Sequence, residues 1–252
     1  MLHRSNVAIL SLCLGLAAPI PAAMANAIGV VAQVATHSER TPASGAEVAL
    51  APEDEIFPDD LIVTDGRGAA RLDMADDTVI TVGPASQVSL DRFLYDPATN
   101  SGDVVTRISA GGMRFISGDL PSESYSIATP VAVIGLRGTD VTVLVNPETL
   151  VTRVIVLVGE VAVRPTGCDY DIPVRAGRMV DIAPIAACGQ QEQPAVPLPQ
   201  WARGRLFPIE DTVVVINEIL SDDTGDGNPG GNPGGTPGGD TRGGEVAVGG
   251  RL

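Results

Sequence analysis

The sequence predicts an all-β chain, either β-solenoid-like or a twisted β-sandwich of many short strands, ending in a disordered Gly/Pro/Asp-rich C-terminal tail. Three observations carry this expectation. Turn signals recur every ~8–12 residues between short runs that alternate apolar and polar residues, the spacing of a sandwich, barrel or solenoid. Two longer stretches, SIATPVAVIGLRGTDVTVLV at 126–145 and VTRVIVLVGEVAV at 151–163, are rich in β-branched residues and read as buried strands. No segment before residue 195 shows the apolar period of an amphipathic helix.

The chain opens on an export signal, residues 1–27. Arg4 supplies the positive start, VAILSLCLGLAA at 7–18 the apolar run, and Ala25 and Ala27 the small residues flanking Asn26 before a cleavage point. The run is shorter than the ~20 residues that span a bilayer, and Pro19 and Pro21 stop it early. Cys13 does not make a lipoprotein signal, because Leu12 stands where a small residue is needed. No later segment is long and apolar enough to span a membrane, so the expected location is periplasmic or secreted.

A β domain is expected over 28–189. Its first strand is 28–36 and its second lies within 45–51, where Val48 and Leu50 alternate. Asp59-Asp60 precedes Leu61-Ile62-Val63, and Asp65-Gly66-Arg67-Gly68 turns the chain back. Ala70, Leu72 and Met74 then alternate with Arg71 and Asp73, giving one buried and one wet face. Asp76-Asp77-Thr78 leads into 79–82, and Gly83-Pro84-Ala85-Ser86 into 87–95. Gly111-Gly112 is read as separating two strands, 104–109 and 113–117. Val154 to Val158 are apolar on both faces, so this strand should be central, and Gly159 should be a bulge or sharp corner.

Removing the leader leaves Cys168 and Cys188. In an oxidising compartment two such cysteines usually pair. They flank DIPVRAGRMVDIA, a strand-turn-strand pattern whose ends meet as a disulfide requires. The alternatives are two buried thiols or a metal pair, the latter weakened by His37 being the one histidine left. Residues 190–220 read as a proline-rich linker with a short ambiguous element, TVVVINEIL, which is strand by its β-branching and helix by the preceding Glu210-Asp211. Residues 221–252 contain NPGGNPGGTPGG and cannot bury enough apolar surface to fold. The Asp/Gly cluster at 222–227 lacks the ligand spacing and terminal glutamate of a calcium loop.

Composition excludes several functions. Hydrophobic residues are 44% and aromatics only 3%, so the core must be aliphatic. All 16 basic residues are arginine, and the net charge is −15; losing Arg4 with an acid-free leader makes it −16. That charge opposes binding to nucleic acid and to anionic lipid. There is no nucleophile elbow and no phosphate-cradling loop. The carboxylate pairs Asp59-Asp60 and Asp76-Asp77 are consecutive, so they do not aim at one atom. No enzyme activity, cofactor or metal is expected.

The stretch 29–181 resembles the FecR-domain family of periplasmic β-rich modules known from iron-responsive transmembrane signalling. The resemblance rests on Gly29-Val30-Val31, Asp60 to Thr64, Gly68 to Leu72 with Asp77-Thr78, Gly83-Pro84-x-Ser86, Gly111 to Arg114 and Val156 to Gly159. Its most specific matches are Thr129-Pro130-x-Ala132-Val133 and Arg137-Gly138-Thr139. The motif residues Thr129, Pro130, Gly135, Arg137, Gly138, Thr139 and Gly159 read first as structural. Pro130 fixes φ and extends Thr129. Arg137 stands in an apolar stretch and, if buried, needs several acceptors; the alternative is a surface that contacts a ligand. The signalling members carry an anti-sigma segment and a membrane helix before the module, and neither is recognised here. The expected role is therefore a non-catalytic module binding a protein or an envelope glycan. The alternatives are a detached sensor of a sigma/anti-sigma system and a structural or adhesive envelope protein.

Overall fold

The computed structural model describes residues 26–35, 38–43, 45–184, 188 and 195–197. The expected leader up to Ala25, His37, most of the expected linker at 190–220 and the whole Gly/Pro-rich stretch at 221–252 lie outside the described residues. Fifteen strands follow one another: β1 (Gly29–Ala35), β2 (Ser38–Thr41), β3 (Val48–Ala49), β4 (Glu55–Ile56), β5 (Leu61–Thr64), β6 (Ala69–Met74), β7 (Val79–Val82), β8 (Gln87–Asp96), β9 (Ser101–Ile116), β10 (Tyr125–Ala128), β11 (Ala132–Val145), β12 (Thr152–Pro165), β13 (Ile172–Arg175), β14 (Arg178–Ile182) and β15 (Val196–Pro197). Among the described residues a single 3-10 turn, Ser122–Ser124, precedes β10. The chain is all-β, as the turn spacing predicts.

The strands form one continuous sheet that divides into two halves. One half runs β3-β2-β5-β8-β9-β10-β11-β12-β13, and the other β4-β1-β6-β7-β9-β11-β12-β14-β15. The long strands β9, β11 and β12 belong to both. Strand β9 pairs with β8 and β10 through its first part and with β7 and β11 through its second. Among the described residues every pairing is antiparallel except β9 with β10. Stacked solenoid coils would pair in parallel, so the sandwich alternative is the nearer description.

Each shared strand changes partners near a glycine with positive φ: Gly111 (78°) in β9, Gly138 (59°) in β11 and Gly159 (79°) in β12. Strands β11 and β12 bend side by side, and their register slips between Arg137 and Val141. Strand β9 bends at the other end of the shared strip, where Gly111 faces Val145 and Ile116 faces Asp140. Bulged strands that switch sheets make the corners of such folds. The predicted break at Gly111-Gly112 is thus corrected: β9 is one strand of 16 residues. The Gly111 backbone is pressed against the Gly83–Ser86 turn, so a Cβ would lie 2.2 Å from Ser86 Oγ and 2.5 Å from the Ala85 carbonyl oxygen. Ser86 Oγ accepts the Gly112 amide and donates to a carbonyl of Pro84 or Gly112.

One aliphatic cluster fills the space between the halves, with Ile62, Val88 and Ile134 from one side and Leu72, Ile80 and Val143 from the other. Val154 to Val156 are buried on both faces, whereas Val158, beside the bulge, is 58% exposed. Val48 faces solvent and Leu50 the core, so the expected alternation in 45–51 reduces to a two-residue strand.

Cys168 and Cys188 are joined by a disulfide with 5.5 Å between their Cα atoms. The bridge ties the start of the β13–β14 hairpin to the chain that leaves it, after which Val196 pairs with Met179 at the sheet edge. Closing a loop with a sequence separation of 20 restricts the unfolded chain and is worth about 3 kcal/mol. Reduction, or replacement of both cysteines by serine, is expected to lower the unfolding free energy read from urea titration by that amount, and the urea midpoint with it. A midpoint within error of the oxidised protein would refute it.

Candidate functional site

The 126–145 motif builds a hairpin with one buried and one open face. Thr129 is buried, and its hydroxyl accepts the Ala132 amide at 3.0 Å and approaches the Ala132 carbonyl at 3.1 Å. Thr152 adds a hydroxyl contact at 3.2 Å. Pro130 sits exposed at the tip, where its fixed φ suits a tight turn. Beyond the turn the side chains alternate: Ile134 and Leu136 enter the core, while Val133, Gly135 and Arg137 face outward. Thr139 is buried, and its amide donates to Ser117 Oγ at 3.1 Å.

Arg137 is therefore exposed, which corrects its reading as a buried core-building cation. Its side chain enters an open groove of about 370 Å³ lined by Ser122, Glu123, Tyr125, Gly135, Leu136 and Ala162. The 3-10 turn Ser122–Ser124 forms one wall, and β11 with β12 the floor. Gly135, paired with Ala162 across the strands, keeps that floor low. Gly135 has no positive φ and no close neighbour at its missing Cβ, so its effect here is on shape.

The groove wall hangs on a polar cluster that the sequence did not reveal. Asp76, 1% exposed, accepts the Thr78 amide at 3.1 Å, the Thr78 hydroxyl at 2.8 Å and the Tyr125 hydroxyl at 2.8 Å. The Tyr125 oxygen accepts the Leu120 amide at 2.9 Å, and Thr78 Oγ1 accepts the Gly118 amide. Tyr125 also meets Phe115 edge to face at 5.8 Å. Burial, together with the neighbouring Asp76 carboxylate, pushes the Tyr125 hydroxyl up to about 12. The cluster joins the β6–β7 turn to the segment before β10 and so places Ser122–Ser124. Asp77 supplies the left-handed residue of that turn, with φ 64°.

The other aspartate pair divides in the same way. Asp60, also buried, accepts the Phe57 amide and the Arg40 guanidinium, and Asp59 takes the positive φ. The two pairs are not brought together. Among the described residues no three His, Cys, Asp or Glu side chains are grouped as metal ligands, and no helix is long and apolar enough to cross a membrane. Ala27 lies exposed just before the buried Ile28.

Arginines elsewhere on the sheet form forked pairs with carboxylates. Arg114 holds Asp140 at 2.8 and 2.6 Å, and Arg153 holds Asp181 at 2.8 Å through each oxygen. Side-by-side contacts of this kind need the planar guanidinium and suit a chain that uses no lysine.

Residues 60–162 match the family described as "FecR protein". Over that stretch the chain resembles a FecR domain. The match begins at Asp60 and closes at Ala162, on the groove floor; β1 to β4 and β13 to β15 flank it. No curated protein matches the sequence. Two crystal structures of candidate anti-sigma factors from Parabacteroides distasonis are similar. One has a TM-score of 0.39 and 14% identity over 50% of this chain and 55% of its own, so this chain spans about half of it. The other has a TM-score of 0.44 and 16% identity over 64% of this chain and 74% of its own. A cell surface anchoring domain has 28% identity over 25% of this chain and 84% of its own, with a TM-score of 0.25. In this FecR-like stretch the Arg-Gly-Thr motif divides its work: Thr139 locks the strand, Gly138 opens the corner, and Arg137 is left to solvent.

Proposed function

We propose that this FecR-domain protein is a non-catalytic recognition module of the bacterial cell envelope, working as the sensor component of a sigma/anti-sigma signalling pathway. It binds a protein partner on the outer face of β10, β11 and β12. The observation that carries this reading is the family motif itself, which is anchored from within yet presents Val133, Gly135 and Arg137 outward around a groove. The disulfide suits an oxidising compartment, and the leader at 1–27 supplies the route there. Peptide segments that dock on a sheet face or edge are held by main-chain contacts and by pockets for alternate side chains.

The test is in-cell photocrosslinking from position 133, with position 48, on the exposed strand β3 at the far edge of the sheet, as the control. The expected result is an adduct from 133 and none from 48, containing a sigma-factor regulator or a transporter that signals to one. An adduct with an adhesin or a secretion component would replace the signalling reading with a structural one. Equal labelling at both positions would refute recognition at this face.

A further inference from the structure

We propose that the groove beside Arg137 receives a single carboxylate, an Asp or Glu side chain carried next to a basic residue on an extended segment of the partner protein. The inference rests on the recognition reading above and specifies its chemistry. Among the described residues every arginine other than Arg67 and Arg137 holds an acceptor. Arg40, Arg71, Arg92, Arg107, Arg114, Arg153 and Arg164 hold aspartates, Arg175 holds Glu160, and Arg178 donates to the Ala195 carbonyl. Arg67 sits on an exposed turn tip. Of these two, Arg137 lines the groove.

Scarcity of acids does not explain this, because acidic residues outnumber basic ones 31 to 16. Two carboxylates are close at hand. Glu160 is the register partner of Arg137, but its carboxylate lies 2.9 Å from Arg175. Glu123 lines the same groove and is not paired with Arg137. The guanidinium therefore keeps its fork of donors free in a groove whose lining includes the small residues Gly135 and Ala162.

The neighbours also select the ligand. A planar carboxylate matches the guanidinium fork and brings one negative charge. A phosphate brings nearly two, against Glu123, Glu160 and a chain of net charge −15. Glu123 in turn offers a place for a cation beside the bound acid. The complementary segment is therefore a close acid–base pair rather than an acidic run.

The experiment follows the Arg side-chain Nε–Hε signals of the purified chain by NMR. It is titrated with a capped five-residue peptide holding one Glu and one Lys, with its Gln analogue and with its phosphoserine analogue. The expected result is a shift of the Arg137 signal and the Gly135 amide with the Glu peptide, at least tenfold weaker binding of the Gln analogue, and loss of binding in Arg137→Gln. Arg67→Gln should bind normally, and Arg137→Lys should bind weakly, since it keeps the charge without the fork. Equal binding of Glu and Gln peptides, tighter binding of the phosphoserine peptide, or shifts confined to other arginines would each overturn the proposal. Crosslinking from position 133 that survives in Arg137→Gln would leave recognition at this face standing while the carboxylate inference falls.

Discussion

Gly159→Val is expected to remove about 4 kcal/mol of stability, a large part of the roughly 5–15 kcal/mol margin of an ordinary domain. Two penalties combine. The residue holds φ at 79°, a region where a β-branched side chain is strained by about 1–3 kcal/mol. A Cβ there would also stand 2.3 Å from the Gly138 carbonyl oxygen and 3.0 Å from that of Arg137. Both atoms are backbone at the corner where β11 and β12 bend together, so they can retreat only by breaking the corner. Gly138→Ala separates the two penalties. Its φ is 59°, but nothing lies within 4 Å of the added carbon, so the expected loss is about 1 kcal/mol. Urea unfolding of both variants gives the comparison. Similar small losses would mean that the corner is not held by close backbone contact.

The parts of the fold that depend on local pattern were legible in the sequence. Residues 79–82 stand as a strand with the predicted bounds, and the aliphatic runs are the central strands. The Gly111-Gly112 error has a physical origin, because glycine marks any place where a side chain is excluded. A turn and a strand pressed against another turn have the same local sequence, and the contact with Ser86 that decides between them spans more than twenty residues. Arg137 misled for a different reason. Val133, on its face of β11, is 49% exposed, so apolar residues on both sides of the strand disguised the period of two that puts Arg137 outside. The Ser122–Ser124 wall was missed altogether. Its signals, Pro121 and a Ser-Glu-Ser run, fit any loop, and its position comes from Asp76 and Tyr125, 49 residues apart. The serial sequence shows both residues but not their meeting.

That meeting predicts the second large effect. Asp76→Ala removes the acceptor for the Thr78 amide, the Thr78 hydroxyl and the Tyr125 hydroxyl in a buried site, with an expected cost of about 3 kcal/mol. Tyr125→Phe leaves the Leu120 amide without its acceptor and Asp76 with one donor fewer, costing about 2 kcal/mol. The double variant should lose less than the sum, because the two side chains share one bond. Alkali tests the same cluster without mutation. The hydroxyl ionises near 10 in the unfolded chain and at about 12 in the folded one, so the native state binds the extra proton between those values. The stabilisation is complete below pH 10 and is lost as pH rises toward 12, by on the order of 2–3 kcal/mol. Tyr125→Phe should lack this fall, and a wild-type loss of the same size in the variant would assign it to other groups. Since the cluster places the groove wall, Asp76→Ala should weaken partner capture and stability together. Arg137→Gln, on an exposed and unpaired side chain, should weaken capture while leaving the unfolding midpoint where it was.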